Sequence, residues 1–251
     1  MTRHCDKLTS SVAPVDRRKA VAALRERLRE SSDTLVRRNP AYDSRLEQLI
    51  GGTPGPRRLL DVLGSEQGSA AGLIGLSLCG RACSERGELV VIDPNGVFFP
   101  AAAIAWGVDS RRLLVVSPER AVDSLAVVET ALRSPAVGAV WSQLGAIEGR
   151  AFRRLLLAAE SGNAFGVLVR SGVHAGDPSW ANIQLAVDPL PGPDASDKPF
   201  VSRVRQLRNR HGPVEGEVDV VIDWQSGQIK ERDDPREHAA LTESPALRLV
   251  S

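Results

Sequence analysis

Between Leu59 and Ser171 the chain repeats one unit, a short and mostly apolar run followed by a turn and a stretch of helical period. The apolar runs lie at 59–63, 89–92, 113–116, 137–141 and 165–169. Helices are expected from the turn at 64–71 through about Cys83, over 101–106, over 118–132 with Pro118 near the first turn, and over 150–160. A strand that is apolar at every position must be covered on both faces, and a helix between successive strands brings the chain back for parallel pairing. The pattern therefore predicts an α/β fold with a mostly parallel sheet flanked by helices. After Ser171 the unit breaks: 183–187, 200–207 and 218–224 read as strands with no helix between them, and 223–228 as a turn between two further strand pieces. An antiparallel C-terminal extension is expected on the parallel core.

The flanks differ in character. Residues 1–58 hold 13 Lys/Arg against 7 Asp/Glu, although the whole chain of 251 residues has a formal net charge of only +1. A basic segment suits an acidic partner, nucleic acid included, and equally a solvated helix face. Asp16 can cap a helix over 17–29 in which Val21, Leu24 and Leu28 recur at helical spacing. That stripe needs a surface, either the core or a neighbouring subunit. Residues 31–57 end in Gly51-Gly52-Thr53-Pro54-Gly55-Pro56 and read as a linker; the tail from Glu231 is charged, contains Pro235 and Pro245, and is expected to be disordered. The expected division is 1–57 as a basic helical segment and linker, 58–230 as core with its C-terminal strands, and 231–251 as tail.

No apolar run approaches the ~18 residues of a membrane span, and residues 1–11 carry no signal-peptide core, so a cytoplasmic protein without membrane contact is expected. Cys5, Cys79 and Cys83 have no framework spacing. Cys79 and Cys83 stand four apart on an expected helix without a second pair to complete a metal site; buried thiols and no metal are expected. His174, between two glycines, has no evident Asp or Cys partner and reads as an exposed loop residue.

A strand, a glycine-containing turn and a helix is the setting of a phosphate-binding loop, in which backbone N–H groups face the anion. Such a loop requires G-x-x-x-x-G-K-[ST]. Gly64-Ser65-Glu66-Gln67-Gly68-Ser69-Ala70-Ala71 starts correctly and then departs: Ser69 replaces the second glycine, Ala70 the lysine and Ala71 the hydroxyl. The same residues also read as a plain strand-to-helix turn.

A collinear series then resembles the RecA recombinase core: Ile92-Asp93-Pro94-Asn95, Ala105-Trp106-Gly107-Val108-Asp109, Arg112-Leu113-Leu114, Ala131-Leu132-Arg133-Ser134 and the helix and strand over 150–171. The similarity covers roughly 55–190. Within that superfamily the chain looks most like the ImuA proteins of bacterial mutagenesis cassettes, through the basic strand at 201–210 and an apolar strand ending in Asp223-Trp224. The resemblance implies a RecA-like core, SOS-type DNA repair by translesion synthesis, and association with an ImuB-type polymerase-like protein and an error-prone polymerase.

By the same resemblance, hydrolysis needs a phosphate-loop Lys, a Mg²⁺-binding hydroxyl, a water-activating carboxylate and an Asp ending a strand. Ala70 and Ala71 occupy the first two positions, Asn95 the third and Trp141 the fourth. Asn95 cannot take a proton from water as a carboxylate can. No catalysis, no cofactor and weak or absent ATP binding are expected. Gly64, Gly68 and the helix N-terminus remain as a vestigial anion site. The competing readings are an active ATP-dependent, DNA-binding ATPase of the RecA family with a substitute cation such as Lys198 or an Arg from a neighbouring subunit, and a regulator resembling a cell-division inhibitor.

Candidate binding groups follow. Arg203 and Arg205 share one face of an expected strand, and Arg208, Arg210 and His211 continue into its turn. They suit phosphates of single-stranded DNA, or serve as charges protecting an edge strand. No aromatic residue is interleaved, so base stacking is not indicated. Trp106 and Trp141 are expected in the core or in the former nucleotide cleft.

Overall fold

A computed structural model describes residues 44–65, 69–83, 87–190, 200–214, 216–223 and 228–232. Val21, Leu24, Leu28, Cys5, Gly68, Lys198, Trp224 and the tail beyond 232 lie outside the described residues.

The apolar runs become the strands of one sheet: β1 (Arg58–Gly64), β2 (Glu88–Ile92), β3 (Leu113–Val116), β4 (Val137–Gln143), β5 (Phe165–Ser171) and β6 (Ile183–Pro189). The chain continues with β7 (Phe200–Asn209), β8 (Glu217–Asp223) and β9 (Gln228–Glu231). The order across the sheet is β3-β2-β4-β5-β1-β6-β7-β8-β9. β1 lies between β5 and β6 and is parallel to both, so six neighbouring strands are parallel. The antiparallel part begins only at the β6–β7 pair and runs through β8 and β9. This corrects one sequence expectation: β6 completes the parallel core rather than opening the extension, because 172–182 carries the chain back along the sheet without a helix of its own beyond the single turn Gly172–His174.

Alternate residues of the parallel strands feed two cores. On one face Leu60, Val62, Val91, Trp141, Val167 and Leu185 pack under α1 (Ser44–Leu49), α2 (Ala71–Ala82) and α3 (Pro100–Ala105). On the other, Leu59, Val90, Val140 and Leu168 pack under α4 (Ser124–Arg133) and α5 (Gly149–Gly162). The extension adds Val204, Val218, Val220, Ile222 and Ile229 to the first core, while its opposite face mixes Val201 and Val221 with charged residues such as Arg203 and Asp219.

Four boundaries move. Pro118 does not enter α4, which begins at Ser124 after a 3-10 turn at Ala121–Asp123. β4 runs two residues past Trp141, so the indole is not at the strand end. The stretch expected as linker contains α1, whose Leu46 and Leu49, with Ile50, are buried in the main core; Arg81 of α2 reaches Glu47 at 2.5 Å. Its apolar spacing is too short to signal a helix, and tertiary burial fixes it. At the other end Glu231 still belongs to β9 and pairs with Arg45 at 3.1 Å, so the sheet extends into what reads as tail.

Candidate functional site

β1 delivers the chain to the glycine turn and α2 leaves it, as a phosphate-binding loop demands. A Cβ at Gly64 would sit 2.3 Å from Ser69 Oγ, so only glycine permits this closure. Ser69 Oγ in turn accepts the N–H of Ala71 at 3.1 Å, taking one of the donors that would otherwise face an anion. Ala70 and Ala71 are buried in the main core.

Trp141 crosses from β4 to the first turn of α2. Its Nε1 donates to Gly72 O at 3.1 Å, and a Cβ at Gly75 would lie 3.3 Å from the same nitrogen. Small residues on this face of α2 therefore make room for the indole. Phe98 packs against it with ring centroids 5.8 Å apart, tilted by 47°. Ser142 Oγ donates to Ile92 O at 3.0 Å and ties β4 to β2. Asn95 stands exposed in the turn after β2. Trp106 is buried in the main core behind α3. Beside Trp141 opens a cavity of about 210 Å³, lined by Leu73 and Leu76 of α2, Asp93, Phe98, Trp141 and Gln143, among others.

The arginines of β7 divide. Arg203 makes a bidentate pair with Asp219, at 2.7 and 3.1 Å, and reaches Glu217 at 3.2 Å; Arg205 pairs with Asp188 at 2.9 Å. Arg208 and Arg210 lie past the register shift between β7 and β6. Arg208 Nη1 donates to Ser179 O at 2.9 Å, and Arg210 lies 4.7 Å from the centre of the Trp180 ring, with Arg153 of α5 5.1 Å from that centre. An aromatic is thus interleaved with the basic groups, which the spacing along 201–210 alone did not indicate. It arrives from another segment. No ion pair among the described residues neutralises Arg153, Arg208 or Arg210.

A buried network links the three central strands. Arg170 of β5 forks onto Asp61 of β1 at 2.8 and 2.6 Å, and Gln184 of β6 donates to the same carboxylate at 2.9 Å. Arg170 lies 5.4 Å from the Phe152 ring centre and 3.7 Å from Asp177. His174 meets Asp177 at 2.8 Å, so it has an acidic partner and is half-buried, contrary to the sequence expectation. One signal could have revealed the network: opposite charges embedded in two otherwise apolar strands. Cys79 and Cys83 are both buried; burial pushes the Cys79 thiol well up and takes Cys83 to about 12, against the opposing pull of Arg112. No group of three potential metal ligands occurs among the described residues, and no described helix is long and apolar enough to cross a membrane.

This strand order, with the glycine turn between β1 and α2, defines a RecA-like α/β fold with antiparallel C-terminal strands. The crystal structure of the RadB recombinase superposes with a TM-score of 0.55 over 76% of this chain and 97% of that one, at 17% identity, a likeness of fold. In sequence the chain is similar to the RecA proteins of Chlorobium chlorochromatii (strain CaD3) and Chlorobium limicola (strain DSM 245 / NBRC 103803 / 6330), each 34% identical over 91 residues. That match takes in 36% of this chain and spans a quarter of the length of the RecA proteins. No protein-family profile matches the chain.

Proposed function

We propose that this chain is a non-catalytic RecA-like accessory protein of DNA damage tolerance, which works in the cytoplasm through partners rather than by turning over ATP. The observation that carries the reading is the Trp141 indole bonded to Gly72 O in the first turn of α2. A phosphate site at this helix needs free N–H donors, a lysine and a metal-binding oxygen. Instead the turn presents Ala70 and Ala71, with Ser69 on the Ala71 N–H and a bulky apolar ring alongside. By resemblance to ImuA proteins, the partners are an ImuB-type polymerase-like protein and an error-prone polymerase, in translesion synthesis. The test is phosphate release from Mg-ATP by the purified chain, with and without single-stranded DNA. Release at the background rate in both supports the reading; DNA-stimulated turnover abolished by an active-site substitution replaces it with an ATPase.

A direct DNA contact is the second part of the reading, favoured by Trp180 between Arg153 and Arg210. Guanidinium groups without carboxylate partners can take phosphates, and the Trp180 ring holds two of them in place. Arg203 and Arg205, held by Asp219 and Asp188, have little charge to offer. Arg208 and Arg210, with Arg153, are the residues proposed for that role.

A further inference from the structure

The cavity beside Trp141 has a polarity opposite to that of a phosphate site. Its walls are apolar or aromatic: Leu73 and Leu76 from α2, Phe98 and Trp141 facing each other. The charged residue that lines it is Asp93, only 6% exposed. One carboxylate oxygen of Asp93 accepts the N–H of Phe98 at 2.7 Å. An ionised carboxylate has about four acceptor positions. No ion pair or other hydrogen bond to Asp93 is found among the described residues. Its remaining acceptor positions are left to a donor that enters the cavity. Gln143, at the same cavity, adds an amide at its edge.

We infer that this cavity binds an organic monocation, an ammonium or guanidinium carried on an apolar stem. The stem would lie against Leu73, Leu76 and Phe98, and the cation would meet Asp93 with the Trp141 and Phe98 rings alongside, an arrangement that attracts positive charge electrostatically. The volume of about 210 Å³ is the room of roughly seven waters at ~30 Å³ each, enough for a lysine-sized stem and head. An anion would meet the Asp93 charge in an apolar enclosure and be repelled. The inference stands on the cavity alone and does not depend on the accessory role or on any particular partner.

The experiment is calorimetric titration of the full chain with three probes of matched shape: pentylammonium, pentanol and pentanoate. Saturable 1:1 binding of pentylammonium is expected, at least tenfold tighter than pentanol, with no heat from pentanoate. Asp93→Asn should cost pentylammonium at least tenfold and leave pentanol unchanged. Because Asp93 also holds the Phe98 N–H, Gln143→Lys serves as a second variant: it leaves Asp93 in place, brings a competing cation to the edge, and should weaken pentylammonium by a similar factor. Equal binding of all three probes would reduce the cavity to an apolar slot and overturn the proposal, as would no binding of pentylammonium. Nα-acetyl-lysine methylamide, titrated alongside, separates the sources of the cation. Binding at least as tight as pentylammonium assigns the site to a side chain of a protein segment; binding of pentylammonium alone assigns it to a free amine.

Discussion

Asp61 and Arg170 show what single residues can decide in this sheet. Both side chains are wholly removed from solvent, so each depends on the other for the hydrogen bonds that water would have supplied. Removing one partner strands a buried charge. Arg170→Met should destabilise the chain by about 3–5 kcal/mol in urea unfolding, whereas Asp61→Leu with Arg170→Met should recover most of that loss. A loss below 1 kcal/mol in the single variant would mean water reaches the pair. Cys83 makes a second residue-scale prediction. Its thiol is held at about 12 in the folded chain against about 8.5 when unfolded, so the folded state keeps a proton that the unfolded state releases. Its stabilising contribution is intact below pH ~8.5 and is lost as pH rises toward 12. In Cys83→Ala the alkaline decline of the urea midpoint should be shallower across that window; an unchanged decline would show that the thiol is not buried. The charges of Asp61 and Arg170 were visible in the sequence as interruptions of apolar strands. Their pairing was not, because it depends on β5 and β1 lying side by side, a fact of strand order.

At the scale of elements, the strands of the parallel core were readable because burial on both faces forces unbroken apolar runs. The short helix α1 was not. It is six residues long and gains its conformation from Leu46 and Leu49, packed with Ile50 onto the main core next to β7 and β8. Leu46→Ala should therefore cost about 2–5 kcal/mol, a core-sized penalty that a linker position would not show. The β7 arginines teach a related lesson. Alternation along the strand put Arg203 and Arg205 on one face correctly, but pairing with β8 and β6 sets Asp219 and Asp188 against them. The unpaired guanidiniums belong to Arg208, Arg210 and, from α5, Arg153, gathered around Trp180. In fluorescence anisotropy with labelled single-stranded DNA, Arg153→Ala and Arg210→Ala should each weaken binding and flatten its salt dependence by about 0.7–1 in log–log slope. Arg203→Ala should leave the slope unchanged. The reverse pattern would move the contact to Arg203 and Arg205.

Across the whole molecule, the fold and the site carry different messages. The order β3-β2-β4-β5-β1-β6 and the turn between β1 and α2 reproduce a RecA-like frame, and the resemblance in sequence points the same way. The reading of Ala70, Ala71, Asn95 and Trp141 as replacements of catalytic groups comes from the sequence resemblance and belongs to the proposed function. What fills the space was not legible in the sequence: the Trp141 bond to Gly72 and the cavity with Asp93 depend on how closely α2 sits on β4 and β5, which Gly75 permits. A helix carrying a side chain there would be pushed off the sheet by Val167, since a Cβ at Gly75 would lie 2.8 Å from it. The proposed role requires that this frame does not serve Mg-ATP. Calorimetry of the full chain with Mg-ATP, alone and with single-stranded DNA, tests it most directly. No saturable heat is expected up to millimolar nucleotide in either case; micromolar 1:1 binding would overturn the non-catalytic role and place the chain among the nucleotide-dependent members of its fold.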